Sequence, residues 1–78
     1  MKKHIEEEIE ALSYNLDVVI KKLHSGVLSA AGVVAAQEVA KTLVRIRDFI
    51  GSAERDENEV HKIITKLPLL YFQIPKLN

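Results

Sequence analysis

Residues 29–50 read SAAGVVAAQEVAKTLVRIRDFI, and this stretch decides the fold. Gly32, Ala36, Val39, Leu43, Ile46 and Ile50 recur at alternating steps of four and three residues. That rhythm places them along one side of a helix packed lengthwise on another. Ser29 stands where an N-cap belongs, and Gly51 where a helix stops. The spacing predicts helix two over about 29–50.

The same rhythm lies upstream. Ile5, Ile9, Leu12, Leu16, Val19 and Leu23 repeat the steps, which predicts helix one over about 3–25. Glu6, Glu7 and Glu8 near its start and Lys21 and Lys22 near its end oppose the helix dipole. Asp17 and Lys21 are spaced for an i,i+4 ion pair. Gly26 supplies the stop. Only a few residues link the two helices, so they are expected to lie antiparallel. Ala30, Ala31, Gly32, Ala35, Ala36 and Ala40 make helix two slender toward that loop. Leu43, Ile46, Phe49 and Ile50 make it bulky at the other end, leaving room there for a third element.

Downstream, Glu54, Asp56, Glu57 and Glu59 load a helix start, and Val60, Ile63, Ile64 and Leu67 form an apolar stripe. Pro68 disfavours helix in the residue before it. Helix three is therefore expected over about 53–67. The segment 68–78, with Leu69-Leu70-Tyr71-Phe72-Gln73-Ile74 between Pro68 and Pro75, is expected to be an extended apolar tail that must be covered.

Composition narrows the function classes. Seventy-eight residues make one domain, 1–78, with a marginal core. Cysteine is absent, so disulfides and thiolate metal sites are excluded. Eleven Lys plus Arg balance eleven Asp plus Glu, and no basic field points to nucleic acid or to a membrane surface. Drawn as a helix-turn-helix, the recognition helix would open on four carboxylates facing phosphates. The polar face of helix one is rich in Glu, whereas interfacial helices favour Lys and Arg. Met1-Lys2-Lys3 resembles a basic signal start, but Glu6, Glu7, Glu8 and Glu10 follow where an apolar run belongs. A cytoplasmic protein is expected.

Catalytic and metal-binding patterns are sparse. His4, His24 and His61 are far apart, and none has a partner at ligand spacing. The Glu6–Glu10 cluster reads as a solvated helix start. No serine lies in a nucleophile elbow, and no glycine-rich loop could cradle phosphate. One string, Arg55-Asp56-x-x-x-x-His61, resembles the Arg-polar-x-x-x-x-His motif of HEPN-type ribonucleases, which are helical and dimeric. The resemblance covers seven residues. It would imply Arg55 and His61 as an RNA-cleaving pair completed across a dimer.

The expectation is thus an all-α protein: an antiparallel helical hairpin, a third helix and the extended tail, dimerising into a helical bundle. No catalytic, cofactor or metal residue is assigned. The expected function is a non-catalytic protein–protein interaction module, a small adaptor, chaperone-like or regulatory protein that acts as a homo-oligomer or on another protein. Val18, Ile20, Val33, Val44, Tyr71 and Phe72 are the expected interface, with the aromatic pair as its anchor. The alternatives are a stoichiometric inhibitor, such as an immunity or antitoxin-like protein, and the ribonuclease.

Overall fold

A computed structural model describes residues 2–78. Met1 and the side chains of Lys2 and Lys3, and so the basic start read there, lie outside the description. Three helices follow in chain order: α1 Lys2–Ser25, α2 Ala30–Ile50 and α3 Glu57–Gln73. A single 3-10 turn, Ile74–Lys76, closes the chain. Among the described residues there are no strands, and α1 packs along α2. The molecule measures 39 × 18 × 17 Å.

The caps explain the boundaries. Gly26 turns the chain after α1 with a φ of 75°, a conformation that costs a Cβ-bearing residue energy. The Ser29 hydroxyl accepts the Gly32 N–H at 3.0 Å and caps α2. Gly51 ends α2 in ordinary right-handed geometry, its N–H donating to the Arg47 carbonyl at 3.0 Å. So only the first of these two helix ends needs a left-handed residue.

α3 differs from expectation at both ends. It begins at Glu57 and not near Ala53, because Asp56 takes the cap: its carboxylate accepts the Asn58 N–H at 2.8 Å. Ser52 organises the turn before it, accepting the Glu54 N–H on its hydroxyl and the Arg55 N–H on its carbonyl. At the other end the extended tail is corrected. Pro68 lies inside α3, and the helix runs on to Gln73. The reason is burial. Val60 and Leu67 are buried in the helix and Ile74 just beyond it, at seven-residue steps, with Ile63, Ile64, Leu70 and Tyr71 packed beside them. An extended chain after Pro68 would turn alternate residues away from the core. Pro68 itself is exposed, so its ring meets solvent.

The core is one cluster drawn from all three helices. Leu12, Leu16 and Val19 of α1, Ala36, Val39, Leu43 and Ile50 of α2, and Val60, Leu67 and Ile74 are buried. Eight of the twelve seam residues read from the sequence are thus buried within one chain, while Ile5, Ile9, Leu23 and Ile46 are half-buried.

The ends fix the direction of α3. His4 and Ile5 of α1 share a groove with Arg55, Glu57, Val60, His61 and Ile64, so α1 and α3 start at one end of the bundle. At the other end the Asn78 carbonyl accepts the Ser29 N–H at 3.0 Å and the Ser29 hydroxyl at 2.8 Å. α1 and α3 therefore run parallel, with α2 antiparallel to both.

Candidate functional site

Interior positions of this bundle are apolar, with no buried polar or charged residue among those described. Function must then be sought in grooves and on outer faces. Two grooves and one apolar surface stand out.

The first groove, at the shared start of α1 and α3, holds about 190 Å³. Ile5, Val60 and Ile64 line it together with His4, His61, Arg55 and Glu57. Arg55 is fastened by its own loop: Nη1 donates to the Ser52 carbonyl at 3.2 Å, and Nε lies 3.3 Å from a Glu57 carboxylate oxygen. That Nε is buried and pairs with Glu57 by charge, without hydrogen-bond alignment. The motif residues Arg55 and His61 thus line one groove rather than opposite faces of a helix. His24 lies near the far end of α1. Among the described residues no group of three His, Cys, Asp or Glu could hold a metal ion.

The second groove, between α2 and α3, holds about 240 Å³ and is lined by Thr42, Ile46, Ile63, Lys66, Leu67 and Leu70. It opens where the bulky end of α2 was expected to leave space.

The apolar surface lies on the outside. Tyr14 is 70% exposed, Leu69 71% and Phe72 69%. Leu69 and Phe72, one turn apart, sit opposite the buried stripe of α3. Lys76 places its ammonium 4.9 Å from the Phe72 ring centroid, a cation–π contact. Leu69 and Phe72, large, apolar and neighbours on α3, mark a surface available for packing; Val27 and Val34 are exposed as well, at 75% and 60%.

The six residues expected at an interface are divided among several environments. Phe72 is the most exposed of them, and Ile20 is 38% exposed. Val18, Val44 and Tyr71 are half-buried against the core, and Val33 is half-buried as well. Val33 and Val44 point to the side of α2 opposite Thr42, away from α3. Tyr71 turns inward. Its hydroxyl is buried with no hydrogen-bond partner, and burial together with the nearby Glu8 carboxylate pushes its pKa up to about 12. Leu69 was missed because an extended tail gives no helical face on which to place it. The signal was there, since positions 62, 65, 69, 72 and 76 keep the helical rhythm.

Comparison of the chain with known protein families, with characterised proteins and with solved structures finds no match. No helix among the described residues is long and apolar enough to cross a membrane.

Proposed function

We propose that this chain is a non-catalytic protein–protein interaction module that acts as a homo-oligomer, in the manner of a small adaptor, chaperone-like or regulatory protein. One observation carries the reading. The core closes within a single chain, yet Tyr14, Leu69 and Phe72 stay in water on α1 and α3. Aromatic side chains of this kind anchor interfaces, because they remove much apolar area from water at low entropy cost. The cytoplasm is the proposed compartment.

The reading is tested by Leu69→Glu combined with Phe72→Glu. Both positions are exposed, so the fold should persist and the helical circular dichroism should not change. An anchor of this type is worth about 2 kcal/mol or more of association, roughly a thirtyfold change in affinity. Light scattering after size exclusion should show the wild type as a dimer and the variant as a monomer. A wild type of 8.8 kDa at every concentration would contradict the reading.

The inhibitor alternative draws on a free tail. Ile74 is buried and Asn78 is bonded to Ser29, so residues 74–78 give it no support. The ribonuclease alternative draws on the shared groove of Arg55, His61 and His4. Against it, the Arg55 charge is already engaged by Glu57. RNA cleavage by the wild type that His61→Ala abolishes would favour it over the interaction module.

A further inference from the structure

The groove between α2 and α3 belongs neither to the closed core nor to the outer surface of Leu69 and Phe72. Its walls run from Thr42 to Ile46 on α2 and from Ile63 to Leu70 on α3. Leu67 is buried at its floor. Ile46, Ile63 and Leu70 are half-buried, so each turns apolar surface into the groove. Thr42 donates its hydroxyl proton to the Glu38 carbonyl at 2.9 Å, within its own helix. Lys66 is the one charged residue of the lining.

The rim adds a second cation. At 3.6 residues per turn, Arg45 stands about 60° round α2 from Thr42, on the side away from the buried Val39 and Leu43. Arg45 falls within the α2 wall, and Lys66 within the α3 wall, so the two cations flank one stretch of groove from opposite sides. Both are exposed, and neither has a carboxylate partner among the described residues. Other charges beside the groove cancel. Glu38 is 3.7 Å from Lys41, and Glu59 is 3.6 Å from Lys62. What remains is an apolar floor between two unpaired positive charges.

We propose that this groove is a second binding surface, which receives one large apolar side chain from an acidic segment of a different protein. Carboxylates on either side of that anchor engage Arg45 and Lys66. The surface is separate from the one that carries the homo-oligomer reading and does not depend on it. Size selects a side chain. A cavity of about 150 Å³ accepts a benzene ring, whereas small-molecule pockets hold roughly 300–1,000 Å³. The groove holds about 240 Å³, room for one aromatic or leucine side chain. Charge selects acid, because two free cations beside an apolar centre complement two carboxylates beside an apolar anchor.

Other occupants fit less well. Phe72 of a second copy would bring its own Lys76, 4.9 Å from the ring, against Arg45 and Lys66. Tyr14 has Glu10 and Asp17 about one turn away on either side, but Asp17 is already paired with Lys21 at 3.0 Å. A contact between α1 of one copy and the α2–α3 groove of another would also join two different surfaces. Such contacts propagate into rings or filaments and do not close at two chains. A membrane surface is bound by clusters of about 4–8 basic residues, and this rim offers only Arg45 and Lys66 unpaired.

The test uses the full chain and two fluorescein-labelled helical peptides rich in Glu and Ala. One carries a single central Phe, and the other has Ala in its place. Fluorescence anisotropy should show the Phe peptide binding with a dissociation constant below about 1 mM, and the Ala peptide at least about tenfold more weakly. Arg45→Glu with Lys66→Glu should weaken the Phe peptide at least about tenfold, because like charges then meet. Both positions are exposed, so the helical circular dichroism and the mass in light scattering should match the wild type. Equal binding of the two peptides, or binding of neither, would overturn the proposal. So would a double variant that binds the Phe peptide as the wild type does. A double variant that loses the wild-type mass would place a second copy in the groove. Binding to phosphatidylserine vesicles that the double variant loses would place a membrane there. Either result would overturn it as well. The homo-oligomer reading is tested separately, by Leu69→Glu with Phe72→Glu.

Discussion

At Gly32 the missing side chain is used by a segment far away in sequence. A Cβ there would fall on the backbone carbonyl of Asn78, the same carbonyl that Ser29 holds with two hydrogen bonds. Gly32→Ala should therefore destabilise the full chain by about 1–2 kcal/mol, by displacing those bonds. In a chain shortened to end at Ile74 the same substitution should stabilise by up to about 1 kcal/mol, the ordinary helix preference of alanine. Urea melts of the four proteins check the change of sign. Tyr71 gives a second residue-scale prediction. The neutral phenol is favoured in the folded state up to about pH 12, and in the unfolded chain only up to about pH 10. Its stabilising contribution is complete below pH 10 and is lost as pH rises through 12. Tyr71→Phe should flatten that part of the stability–pH curve, and it should cost little near neutrality because the hydroxyl has no partner to lose. The spacing of residues 29–50 showed that Gly32 lies on the packed side of a helix. It could not show that Asn78, 46 residues away, rests on it, because periodicity reports a face and not its occupant.

The helices themselves were legible to different degrees. α1 and α2 have long, regular stripes, and Gly26 and Ser29 mark the turn between them, so their spans follow from spacing and turn residues. α3 runs past the point where proline chemistry alone would stop it, because burial outweighs the local preference. Proline costs an interior helical position about 3 kcal/mol relative to alanine, yet the stripe of Leu67, Leu70, Tyr71 and Ile74 stays in register across it. Burying such side chains is worth about 1.5–3 kcal/mol each, enough to carry the helix through. Pro68→Ala should then stabilise the protein by about 1–3 kcal/mol and raise its melting temperature by several degrees. No gain would mean that the chain is not helical on both sides of residue 68. The candidate surface depends on the same continuation. Phe72 was selected for its chemistry, but only a helix continuing past Pro68 puts Leu69 beside it and aligns both with Lys62 and Lys76.

The whole molecule explains why the surface is left over. Three slender helices, with α2 rich in alanine toward its loop, make a bundle only 17–18 Å across. Leu12, Leu43, Ile50 and Leu67 fill its interior. Leu43→Ala should cost about 2–5 kcal/mol, a large share of the stability of so small a domain. A further large side chain has no inner position to occupy. Tyr14, Leu69 and Phe72 stay outside, and the proposed homo-oligomer would cover them. The most direct test is the absolute mass of the wild-type chain, followed by light scattering through a dilution series. The expected result is twice the 8.8 kDa chain mass at high concentration, falling toward a single chain on dilution. A constant single-chain mass, up to the highest soluble concentration, would contradict it.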